Sequence, residues 1–117
     1  MGHAYIYLGV ENGEPHIFKV GQTGSTCWHR CSHDNYLIGV GFDIECYPGC
    51  NLNTVERHIV TAFSERFEVA HGREYFYAPK HNWEQIKEFF INEMENFLWS
   101  RGMRFDLHTG WVAPYTY

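Results

Sequence analysis

Hydrophobic and polar positions change period several times along this chain. From Ala4 to Val10 β-forming residues dominate. Glu11-Asn12-Gly13-Glu14-Pro15 interrupts them with turn chemistry, and His16 to Gly21 resumes an extended pattern. Two such runs across a short polar link predict an antiparallel hairpin. After Gly21 to Gly24, Ser25 is placed to cap a helix running to about His33 or Asp34. Phe42 to Tyr47 alternates Phe, Ile and Cys with Asp, Glu and Tyr, which predicts a third strand closed by Pro48-Gly49. A second helix is expected from Asn53 to Glu65 or Arg66. Its apolar stripe is Val55, Ile59, Ala62 and Phe63, and Asn53 and Glu56 stand at capping-box spacing. A loop around His71-Gly72 leads to a short extended segment, Tyr75-Phe76-Tyr77, stopped by Pro79. Asn82 then opens the longest helix, with Trp83, Ile86, Phe89, Phe90, Met94, Phe97 and Leu98 on one wide face. Residues 102–117, rich in Gly, Thr and aromatics, read as a packed tail or an added hairpin.

The order β-β-α-β-α-β-α describes an α+β protein, a small central antiparallel sheet flanked by helices. At 117 residues the expectation is one domain spanning 1–117, and 44% hydrophobic with 18% aromatic residues is enough to build a core rather than a disordered chain. No run of about 18 apolar residues is present, and the N-terminus lacks the basic, apolar, small-residue succession of a leader. A soluble, cytoplasmic protein that does not engage membranes is expected. The formal charge of -5 sets a condition on any nucleic-acid partner: the positive charge that meets phosphate has to be local. Cys27 and Cys31, like Cys46 and Cys50, stand four apart, where the common zinc knuckle has two intervening residues rather than three. The expectation is reduced thiols, with neither zinc nor disulfides.

The candidate chemistry lies in Tyr5-Ile6-Tyr7, Lys19-Val20-Gly21-Gln22-Thr23, Arg30, Glu56 and Arg73-Glu74-Tyr75-Phe76. Taken singly, each has a plain structural reading. Tyr7 fits a strand aromatic, Lys19 a strand-edge cation, Arg30 an exposed helix residue, and Glu56 the closing member of a capping box. Taken together, over residues 4 to 77, they resemble the active-site frame of the GIY-YIG nuclease superfamily, in its phage-type branch whose second motif begins with Lys. Two departures from the wider family stand out: Tyr5 replaces the Gly of the first motif, and Lys19 replaces a Tyr.

The resemblance implies a one-metal endonuclease. Phosphodiester hydrolysis needs an activated water in line with the leaving oxygen, and positive charge on the crowded phosphate. By resemblance Tyr7 is the general base or water-positioning group. Its phenol, with an ordinary pKa of about 10, needs a neighbouring cation to act at neutral pH. Lys19 supplies that cation or contacts phosphate. Arg30 presents a planar, permanently charged fork to phosphate. Glu56 holds Mg²⁺ or Mn²⁺, since Mg²⁺ accepts one carboxylate with waters and substrate oxygens. Tyr5, Gly21, Thr23, His29, His33 and Glu74 are the expected substrate-side residues, and Arg66 and Asn82 are weaker matches to family positions. DNA is the expected partner, and a homodimer would allow both strands to be cut. A different class of function stays open beside this one: a non-catalytic module, of phage origin by the same resemblance, that binds a nucleic acid, a nucleotide or a protein on the same fold.

Overall fold

A computed structural model describes residues 3–11, 16–23, 36–45, 51–72 and 74–112. The expected helix from Ser25 and all four cysteines lie outside them. In chain order the elements are β1 (His3–Glu11), β2 (Ile17–Thr23), β3 (Tyr36–Glu45), α1 (Leu52–Arg66), β4 (Glu68–His71), β5 (Tyr75–Tyr77), α2 (Trp83–Ser100) and β6 (Phe105–Val112). The six strands form one sheet in the order β4-β5-β2-β1-β3-β6, and every pairing is antiparallel. The expected α+β class stands, with two strands more than the sequence pattern marks.

Strand alternation decides which side of the sheet is buried by the helices. Ile6, Leu8, Val10, Phe18, Val20, Val40, Phe42, Ile44 and Phe76 share one face and are all buried. Both helices pack there: Phe63 of α1 meets Phe76 at 5.5 Å, while Phe90 of α2 meets Phe42 at 5.6 Å and Trp83 stacks on Phe18 at 6.4 Å. Phe63 also touches Phe67, Phe89 and Phe90, joining the two helices through one aromatic cluster. Each fully buried side chain of this size stabilises the fold by roughly 1.5–3 kcal/mol relative to exposure.

Helix ends follow from side-chain chemistry. Asn82 caps α2 in a reciprocal box with Gln85, at 2.9 and 3.0 Å. At the other end of α2, Gly102 takes φ +64°. The N–H groups of Gly102 and Met103 donate to the carbonyls of Trp99 and Leu98, which is the Schellman closure. Helix α1 corrects the expected start: the cap is Asn51, whose side chain accepts from the Asn53 N–H at 2.9 Å. Glu56 is thus the fifth helical residue and lies outside any capping box.

Three other expectations change. Strand β3, Tyr36–Glu45, begins before the expected Phe42, because the buried Gly39 and Gly41 carry backbone pairing without contributing to apolar alternation; its expected close at Tyr47 and Pro48-Gly49 lies outside the described residues. Strand β4 occupies the expected loop, as an edge strand whose Val69 is 46% exposed, so no buried pattern marks it. The C-terminal segment contributes β6, a single strand paired to β3, and not a hairpin among the described residues.

Candidate active site

Three segments distant in sequence meet at the end of β2. Lys19 is paired in register with Gly9 on β1 and Tyr75 on β5. It is only 8% exposed, so its charge needs nearby partners. Its Nζ lies 4.0 Å from the Glu74 carboxylate and 5.4 Å from the centre of the Tyr75 ring. Glu74 is itself fixed by the backbone, because its carbonyl accepts from the Val20 N–H at 3.0 Å. One residue before β5 begins, the chain is therefore already laced to β2.

Helix α1 brings the third segment. Gln22 follows Phe18 and Val20 on the core side of β2, at the rim where the helix begins, and its Nε2 donates to Asn53 Oδ1 at 2.6 Å. One turn further, Glu56 is half-buried, and its Oε2 is buried with no hydrogen-bond partner. Burial raises the Glu56 pKa above the ordinary carboxylate value. Facing Glu74, through both its carboxyl and its charge, raises it further. The Gln22 amide and the Lys19 charge act in the opposite direction. Asn53, Glu56, Arg57, Val60 and Glu74 line a cleft of about 270 Å³.

This arrangement fits a divalent cation. Two carboxylates from different elements face one cleft, one oxygen lacks a partner, and a cation between them would relieve both the repulsion and the desolvation. Glu56 and Glu74 are the residues that would hold it.

Lys19, Glu56 and Glu74 are thus brought together. Tyr7 is placed by backbone register alone, between Gly21 of β2 and Gly41 of β3, while Tyr5 pairs with Thr23 and Asp43. Gly21 is buried on β2, and Thr23 is its last residue. Arg30, His29 and His33 lie outside the described residues, as does Arg73. Arg66 is not part of this cluster. It lies ten residues after Glu56, about 15 Å along the helix axis, and its guanidinium covers the rings of Phe67 and Phe89. Asn82 is occupied in capping α2.

Gln22 and Asn53 belong to the cluster; in the sequence, Gln22 stands within its motif without an expected role, and Asn53 is expected only to start a helix. The available signal was alternation: a polar amide at position 22 continues a strand row whose earlier members, Phe18 and Val20, are apolar.

Among known proteins, a family model described as the T5orf172 domain matches residues 2–91. No curated protein and no solved structure matches the chain.

Proposed function

Because the chain belongs to the T5orf172 domain family, a phage-associated group related to nucleases, we propose that it is a metal-dependent endonuclease that hydrolyses DNA phosphodiester bonds through a GIY-YIG-type site. The observation that supports this reading most is the meeting of Glu56 and Glu74 at one cleft, with Lys19 4.0 Å from the Glu74 carboxylate and the Glu56 Oε2 buried and unpartnered. Such a carboxylate costs stability and no cap explains it, which supports its reading as a residue kept for chemistry.

In this reading Glu56 holds Mg²⁺ or Mn²⁺, with Glu74 beside it. The metal, when bound, supplies charge stabilisation to the phosphate. Lys19 keeps a positive charge beside Glu74, held in place by Glu74 and Tyr75. Tyr7 orients or deprotonates the attacking water, and Arg30 clamps the phosphate, with His29 or His33 at its side. Tyr5, Gly21 and Thr23 border the substrate. Two copies of the chain would cut the two strands of a duplex. None of the described helices is long and apolar enough to cross a membrane; a cytoplasmic location belongs to the proposal.

A second reading is a non-catalytic module that binds nucleic acid, a nucleotide or a protein. The charge of -5 favours it, as does a groove of about 530 Å³ in which Asp43, Glu45, Glu95 and Asp106 outweigh Arg104, the single cation among its described lining residues, a balance that would repel a duplex. The two readings separate when purified protein is incubated with supercoiled plasmid and short oligonucleotides in Mg²⁺, Mn²⁺ or EDTA. Nicking that requires metal supports the nuclease. Binding with no cleavage under any metal condition supports the module.

A further inference from the structure

We infer that Gln22 is a positioning residue for Glu56: its amide locks the end of β2, through Asn53, to the first turn of α1, the turn from which Glu56 enters the cleft. This inference rests on the nuclease reading and extends it to a residue outside the expected set.

The placement of Gln22 is unfavourable on stability grounds alone. Its register partner Ile6 is fully buried, and Ile6 in turn pairs with the fully buried Phe42. An apolar side chain in that row would extend the core, whereas a half-buried amide has to satisfy its hydrogen-bonding groups. Gln22 does so on α1, through Asn53. The bond to Asn53 Oδ1 is short, at 2.6 Å, and spans 31 residues of sequence. Asn53 is in turn held by Asn51, whose side-chain oxygen accepts the Asn53 N–H at 2.9 Å. A strand end, a helix cap and a first helical turn are therefore linked in series. Glu56 lies one turn along the same helix and lines the same cleft as Asn53.

The consequence is orientational. A carboxylate on a helix has freedom about three side-chain torsions, and a ligand that has to meet a metal needs those torsions restricted before binding. Gln22 fixes the helical turn from which those torsions start, and Glu74 lines the same cleft.

The test compares the full-length wild type with Gln22→Met, which keeps length and removes the amide, and Gln22→Asn, which keeps the amide and shortens its reach. Mn²⁺ binding is read by electron paramagnetic resonance, with thermal unfolding and oligonucleotide cleavage alongside. Both variants should fold and bind Mn²⁺ about tenfold or more weakly. The loss should fall on kcat, with KM for DNA little changed. A folded variant that binds Mn²⁺ like the wild type overturns the inference and leaves the nuclease reading intact. Failure of both variants to fold also overturns it, by assigning Gln22 to stability alone. Wild type that neither binds Mn²⁺ nor cleaves overturns the nuclease reading, and this inference with it.

Discussion

Replacing Glu56 by Gln should make the metal-free protein more stable while abolishing cleavage. The substitution keeps shape and removes a charge from a half-buried position whose Oε2 has no partner and whose neighbour is the Glu74 carboxylate. A Gln amide there can donate to Glu74, replacing repulsion with a hydrogen bond to a charged group, worth about 1.5–3 kcal/mol. Lost attraction to Lys19 offsets part of this, by up to about 1 kcal/mol in so open a cleft. The net gain is on the order of 1 kcal/mol, or about 3–5 °C in Tm for a chain of this size. Because the folded-state pKa of Glu56 is raised above 4.5, the folded chain holds that proton more firmly than the unfolded chain. The cost of ionising Glu56 is absent below the ordinary value and grows as pH rises through the window above it. The advantage of Glu56→Gln should therefore be full at pH 7 and close to zero at pH 4. Added metal should reverse the ranking, since only the wild type gains, by about 1.4 kcal/mol at ten times Kd. Calorimetric or circular-dichroism melts at both pH values, with EDTA and with Mg²⁺, measure all of this. A variant less stable than wild type at pH 7 in EDTA would refute the reasoning, as would an advantage of equal size at pH 4.

Other expectations follow from the same geometry. Arg30→Ala should lower kcat by the order of 10²-fold or more if its guanidinium meets transition-state charge, and unchanged single-turnover kinetics would remove it from the site. Metal-free DNA binding should be weak, with a log-log salt slope on the order of -2 to -4 for about two to four phosphates. Tight duplex binding that survives Lys19→Ala with Arg30→Ala would place the binding surface elsewhere. Asn82→Ala removes one half of the α2 capping box and should cost about 0.5–2 kcal/mol in chemical denaturation, with activity per folded molecule unchanged. Gly102→Ala should cost about 1–2 kcal/mol from its φ of +64° alone, because an added Cβ meets nothing within 4 Å.

What the sequence made legible depended on whether one residue type dominated a local decision. The hairpin strands and α2 announce themselves, because alternation, a turn cluster and the Asn82 box all point the same way. Strand β4 stayed hidden because an exposed edge strand has no buried face to pattern. The first half of β3 was obscured by glycines whose contribution is backbone alone. At α1, Asn51 and Asn53 are both good caps, and only the tertiary placement of the helix chooses between them. The same choice frees Glu56 from the box that competed with its reading as a ligand. Lys19, Glu56 and Glu74 were nameable from their motifs, but their mutual approach was not, since it depends on the pairing of β2 with β5. Gln22 was missed because its significance lies in a partner 31 residues away.

The candidate site is drawn from three stretches of chain that touch only once the sheet has closed: Lys19 and Gln22 on β2, Asn53 and Glu56 on α1, and Glu74 at the foot of β5. A ribosome that has released only the first fifty residues has made the lysine and neither carboxylate. A chain cut before residue 74 has one carboxylate with nothing to hold the cation beside it. Any reactivity toward a phosphodiester is therefore withheld until the non-local pairings of the whole sheet are complete. In the nuclease reading, that order protects the cell that translates the chain: a fragment carries no complete site.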